Sequence, residues 1–323
     1  MNMQRRDFLR CAGAAAVGGA SAAATAIGGL GAAMMTYSSV SRSDTRRYEL
    51  GIQFFTFNAL ATQGWDKFSE AMGIARGLGY EAIQFAGLMG HSPALVRKRA
   101  AELGLALRTM HIGNDQVRAF RAPGGSISEA QDAVYTPTGI VQLTRVNVPL
   151  ARDLGCEWAV VAASGPTNMQ SLDNVRRMCD ALNAANEIAR KAGIGLSYHG
   201  HGPDYRSLQG QNVFEFMLAH TEPTIRFELD VAWVAAGGAD PVALIDKHAA
   251  RIVSFHLKDW TQAGKAATVG DGQIDFAGIY RAAARIDKPI FNVECEGGPG
   301  VDLTREARRS LEHLRPLGWT LTA

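Results

Sequence analysis

Residues 171–201 read Ser-Leu-Asp-Asn-Val-Arg-Arg-Met-Cys-Asp-Ala-Leu-Asn-Ala-Ala-Asn-Glu-Ile-Ala-Arg-Lys-Ala-Gly-Ile-Gly-Leu-Ser-Tyr-His-Gly-His. Ser171 is a helix start signal, because a serine side chain can accept one of the unpaired N–H groups of a first turn. Helical spacing then runs to about 192. Gly193 follows, where a left-handed helix end favours glycine. A short β-rich run, 195–199, comes next and ends in His199 and His201. One helix, one glycine stop and one strand ending in chemistry: this unit repeats along the chain.

Read outward from it, strands are expected at 50–55, 81–86, 106–112, 158–162, 195–199, 225–229, 252–256 and 289–294. Helices are expected near 65–78, 93–103, 138–154, 171–192, 212–220, 241–249, 276–286 and 302–315. Ser92-Pro93 and Asp240-Pro241 are further start signals. Gly79, Gly104 and Gly155 repeat the role of Gly193. Eight alternations predict a parallel (β/α)8 TIM barrel closed by right-handed crossovers. An open doubly wound sheet would want a glycine-rich phosphate loop after the first strand, and Phe55-Thr56-Phe57-Asn58 offers none. The longest expected irregular piece, 113–137, is placed to cover the barrel mouth.

The 323 residues are 47% hydrophobic and 20% charged, with a formal net charge of +2. That composition suits one large globular domain. The near-neutral balance argues against nucleic acid as a main partner. Four cysteines, Cys11, Cys156, Cys179 and Cys295, have no metal-finger or redox spacing. The sequence does not name the oligomeric state and is compatible with a homo-oligomer.

The first forty residues read as an address. Arg5-Arg6, then Phe8-Leu9, then an Ala/Gly stretch to about Ala33, resemble a twin-arginine export signal. Ala and Gly contribute little to membrane insertion, so no stable anchor is expected after cleavage. The expected division is therefore a leader at 1–40 and a barrel at 41–323, in a periplasmic or exported protein. Replacing Arg5 and Arg6 by lysine should block export of a reporter carrying residues 1–40; unchanged export would contradict the reading.

In a TIM barrel chemistry gathers at the C-terminal ends of the strands. Here the last four end in Tyr198-His199-Gly200-His201, Phe227-Glu228-Leu229-Asp230, Phe255-His256-Leu257-Lys258-Asp259 and Val293-Glu294-Cys295-Glu296. Neighbouring strands lie ~4.8 Å apart, so these ends converge. Each residue has a plain alternative: His256 as a hydrogen-bonded core histidine, Asp230 as a helix cap, Glu294 in an ion pair with arginine. Together, imidazoles and carboxylates at successive strand ends suit one divalent cation. Mn2+ is favoured if the metal is loaded before export, with Co2+, Fe2+ and Zn2+ also compatible.

The runs Leu50-Gly51-Ile52-Gln53, Gly79–Gly87, Tyr198–His201, Phe227–Trp233, Ala236–Pro241, Phe255–Asp259 and Val269–Gly272 resemble the sugar phosphate isomerase/epimerase family of xylose isomerase-like barrels. The resemblance implies one metal held by His199, Asp230, His256 and Glu294. It implies proton abstraction next to a carbonyl, through a metal-stabilised enediolate. Glu294, His201 and Lys258 are then the candidate catalytic groups, and His111, Gln84 and Trp233 the candidate substrate contacts. Lys258 stabilises an enediolate oxygen, or is a base if burial lowers its pKa; its plain alternative is a salt bridge with Asp259 or Glu296. Relatives usually carry glutamate where this chain has His199 and Gln84. The resemblance implies a metal-dependent sugar isomerase or epimerase; the two departures argue against a symmetric two-base epimerase, and the alternative is a lyase or hydratase on 3-keto-glycosides or other keto-sugar derivatives using the same intermediate. Rival classes are an endonuclease IV-like phosphodiesterase and a non-catalytic sugar-binding barrel.

Overall fold

A computed structural model describes residues 48–121, 124–297 and 300–319. The leader read at 1–40 lies outside the described residues. Eight parallel strands close into one barrel in sequential order, with the last pairing the first. They are β1 Leu50–Gln53, β2 Ala82–Ala86, β3 Thr109–Ile112, β4 Trp158–Val161, β5 Gly195–His199, β6 Arg226–Asp230, β7 Ile252–Leu257 and β8 Ile290–Val293. The major helices outside are α1 Trp65–Leu78, α2 Pro93–Leu103, α3 Pro137–Leu154, α4 Leu172–Lys191, α5 Val213–His220, α6 Pro241–His248, α7 Phe276–Ala282 and α8 Leu303–Leu314. The fold is the expected (β/α)8 barrel. No helix among the described residues is long and apolar enough to cross a membrane.

The start and stop signals act as read. The Ser92, Ser171 and Asp240 side chains accept first-turn N–H groups of α2, α4 and α6. Gly79, Gly104 and Gly155 end α1, α2 and α3 at positive φ.

Two expectations are corrected. The stretch 113–137 is not irregular: helices Asn114–Phe120 and Ile127–Val134 occupy most of it. Asp115 fixes the first of them by accepting the N–H groups of Leu88 and Met89 at the end of β2. The first strand stops at Gln53 rather than residue 55, because the Gln53 side chain accepts the Phe55 N–H and a 3-10 turn follows.

Strand residues alternate between the two barrel faces. One parity is apolar and packs outward; Phe54 and Phe85 close on Phe68 of α1 with ring centroids 4.8–5.5 Å apart. The other parity is polar on every strand except β4: Gln53, Gln84, Thr109, His111, Ser197, His199, Glu228, Asp230, Ser254, His256, Asn292 and, just beyond β8, Glu294, all buried. A barrel interior is ordinarily filled with branched aliphatic side chains. This one is filled with hydrogen-bonding groups. Gly51 belongs to the arrangement, since a Cβ there would stand 2.5 Å from Asn292 Oδ1.

Candidate active site

The polar interior forms two tiers at the C-terminal ends of the strands. Ligand atoms of Asp230, His256 and Glu294 lie within 4.8 Å of one another in the upper tier. Those of His111, His199, Glu228 and His256 do so in the lower. His256 joins the tiers. His199, read as a ligand beside Asp230 and Glu294, is grouped with the lower set.

In the upper tier, Asp230 does two jobs. Its Oδ1 accepts the N–H groups of Ala232 and Trp233, capping helix Val231–Ala236. The helix-cap alternative is thus correct for one oxygen. Its buried Oδ2 has no hydrogen bond. It points at Lys258 Nζ, 3.2 Å away, and at His256 Nδ1, 4.0 Å away. Glu294 Oε2 lies 3.1 Å from His256 Nδ1 and 2.7 Å from Lys258 Nζ. Burial opposes ionisation of Glu294, but Lys258 and His256 outweigh it and hold the carboxyl well below its usual range.

Lys258 corrects an expectation. Burial favours the neutral amine, yet Asp230, Glu294 and Glu296 raise its pKa well above that of a free lysine. It stays an ammonium, so it is not the base. Glu296, whose Oε1 lies 3.2 Å from Lys258 Nζ, is the alternative partner that the sequence suggested. Asp259 is not a partner. It turns away and accepts N–H groups from Trp260, Gly270, Gly272 and Ile274. That accounts for the Val269–Gly272 run: it wraps a loop around a buried carboxylate, and Trp260 is carried with it.

Trp233 and His201 are half-buried at the rim. The Trp233 ring faces His201 at 5.6 Å and Lys258 Nζ at 5.8 Å. Burial, His199 and Lys258 keep His201 neutral, with a pKa well below 6.5. Its backbone N–H donates to Asp204 Oδ2 at 2.6 Å.

Asp204 itself makes a pH prediction. Burial raises its pKa to about 7, against the pull of the His201 N–H and the Tyr198 hydroxyl. A carboxyl raised in the folded state binds more protons folded than unfolded. The contribution of Asp204 to stability is therefore greatest below about pH 4 and falls as pH rises towards 7, by a few kcal/mol over roughly three units. Asp204→Asn should flatten this slope in urea midpoints measured from pH 5 to 8. Parallel slopes for parent and variant would contradict it.

The lower tier centres on Glu228, a residue the sequence reading passed over. Its Oε1 lies 2.6 Å from His111 Nε2, 3.1 Å from His199 Nδ1 and 3.1 Å from His256 Nε2. Its Oε2 accepts from Gln84 at 2.6 Å and Ser254 at 2.7 Å. Burial would protonate it, but His256 and His111 keep it charged. Burial in turn holds His111 neutral, lowering its pKa to about 4 despite Glu228. Burial also opposes charge on His256, and there the Glu228 and Glu294 carboxylates win, raising its pKa to about 10. The signal for Glu228 was its parity, two residues before Asp230 on the same face of β6.

His111 and Gln84, expected as substrate contacts, are buried in this tier with side-chain groups bonded to protein. Gln84 is 0% exposed and its amide is engaged by Gln53, Thr109, Glu228 and His256.

Residues 72–317 match the xylose isomerase-like TIM barrel family. The chain belongs to this family. This xylose isomerase-like barrel is 24% identical over 267 residues to an inosose dehydratase of Geobacillus kaustophilus, covering 69% of the chain and 78% of that relative. Its fold is shared with a sugar phosphate isomerase/epimerase of Parabacteroides distasonis at TM-score 0.71 and 21% identity, covering 84% of this chain and 99% of that one. It is likewise shared with an L-ribulose 3-epimerase at TM-score 0.62 and 21% identity, covering 84% and 94%. The barrel is an enzyme, isomerase/epimerase-like or lyase-like.

Proposed function

We propose that this barrel is a metal-dependent lyase that removes water from a cyclic keto-polyol or keto-sugar. Three groups of the upper tier, Asp230, His256 and Glu294, fit one divalent ion; His199, grouped with the lower tier and bonded to Glu228 through Nδ1, is the proposed fourth ligand through its other ring nitrogen. The buried Asp230 Oδ2 supports the fit: Lys258 Nζ lies 3.2 Å away but no hydrogen bond is made to this oxygen, which leaves a lone pair for a divalent cation. When bound, the ion supplies Lewis-acid polarisation of a carbonyl oxygen.

The rest follows from the chain's own groups. Trp233 offers its ring to the apolar face of the substrate. Glu294, held ionised, takes the proton from the carbon next to the carbonyl. Lys258, held as an ammonium beside it, donates a proton to the departing hydroxyl, which leaves as water.

The carrying observation is asymmetry. The carboxylates of the upper tier stand on β6 and just beyond β8, and one oxygen of Asp230 is taken by a helix. Strand β5 ends in His199 and His201, with no carboxylate to serve as a second base. A two-base epimerase needs groups on both faces of one carbon; elimination needs a base and an acid. The inosose dehydratase relative supports the same choice.

The test is incubation of the Mn2+-loaded protein with an inosose and with free ketoses, followed by NMR of the products. A dehydrated product from the inosose is expected. Clean inversion at carbon 3 of a ketose, with no dehydration, would restore the epimerase reading.

A further inference from the structure

We infer that Gln53, Gln84 and Glu228 are positioning residues that select which nitrogen of His256 is offered to the upper tier. The inference deepens the metal reading above and rests on it. Its starting point is a donor whose direction is beyond choice, the backbone N–H of Phe55. That N–H donates to Gln53 Oε1 at 3.1 Å, which orients the Gln53 amide. The Gln53 Nε2 end must then donate, and it meets Gln84 Oε1 at 2.6 Å.

The far end of the relay is equally constrained. Gln84 Nε2 donates to Glu228 Oε2 at 2.6 Å and to the Thr109 hydroxyl oxygen at 2.7 Å. Turning the Gln84 amide over would set its oxygen against a carboxylate and its NH2 against another NH2. Both ends forbid it. Gln84 Oε1 is therefore an acceptor where it meets His256 Nε2, 2.6 Å away. Glu228 Oε1, 3.1 Å from the same nitrogen, is a second acceptor.

His256 must donate from Nε2. Neutral imidazole then keeps its lone pair on Nδ1. Nδ1 is the nitrogen that faces Glu294 Oε2 and Asp230 Oδ2. The relay runs from the backbone after β1, through β1 and β2, to the ring on β7. It fixes Nε2 as the nitrogen that keeps its proton, so that Nδ1 is the one that gives up its proton when an ion binds. Hydrogen bonds of this outer kind typically change metal affinity 10–100-fold.

Gln84→Met removes the acceptor and the donor while keeping most of the volume. Gln53→Met is the gentler variant: it leaves Gln84 in place and removes one of the two constraints that orient its amide. Mn2+ affinity is read by titration calorimetry on chelator-treated, folded protein. The tautomer is read on the Zn2+-loaded form by long-range 1H–15N correlation, with His256 assigned through His256→Asn. The expected parent spectrum has the His256 proton on Nε2. Gln84→Met should bind Mn2+ 10–100-fold more weakly. Gln53→Met should bind more weakly by a smaller factor, and it carries the affinity test if Gln84→Met does not fold. A parent with the His256 proton on Nδ1, or folded variants that bind Mn2+ within about twofold of the parent, would overturn the relay while leaving the metal reading standing. A parent that binds no ion overturns both.

Discussion

Asp230→Ala is expected to leave a folded barrel that no longer holds a divalent ion. The side chain supplies two separable things. Oδ1 caps a six-residue helix, and its loss costs about 1 kcal/mol. Oδ2 faces His256 and Lys258 without a hydrogen bond, so its removal subtracts negative charge where a cation would sit. The Lys258 ammonium would then be left with Glu294 and Glu296. Parent protein purified without chelator should carry about one ion per chain, and Asp230→Ala close to none, by elemental analysis with circular dichroism confirming the fold. Asp230→Asn separates the roles, since its Oδ1 can still cap. Equal metal content in parent and Asp230→Ala would remove Asp230 from the site.

Glu294→Gln should lower turnover by 10²–10⁴-fold, the usual range for loss of a positioned base. The amide keeps the shape and one acceptor but cannot take a proton. It also takes a negative charge away from Lys258 and His256, 2.7 and 3.1 Å from Oε2. Metal affinity should fall less than in Asp230→Ala, where the oxygen itself is gone. A turnover within tenfold of the parent at saturating Mn2+ would mean that another group is the base.

Much of this was legible in the chain, for definable reasons. Helix caps and glycine stops are local, and Ser92, Ser171, Asp240 and Gly155 act on backbone within four residues. Eight such units suffice to imply a closed barrel. Convergence of Asp230, His256 and Glu294 followed from their places at strand ends.

What escaped is non-local. Parity tells which face of a strand a residue occupies, but not how deep in the barrel it sits. Glu228 and Asp230 share a face, yet one holds the imidazoles from below and the other faces the upper tier. Gln84 reaches His256 across 172 positions of sequence, a pairing that no spacing rule encodes. The direction of the Lys258 shift was open for the same reason. Burial alone would have made it a base; three carboxylates on β6 and beyond β8 make it a cation. The helices within 113–137 were missed because their anchor, Asp115, works through the backbone after β2.

The central claim is that Glu294 removes a proton from the carbon next to a substrate carbonyl. The direct measurement is deuterium entry from heavy water into an inosose recovered before complete turnover, followed by NMR, for the parent and Glu294→Gln. Deuterium is expected at that carbon with the parent and essentially none with Glu294→Gln, provided the variant still binds Mn2+. Equal deuterium entry with both proteins would contradict it.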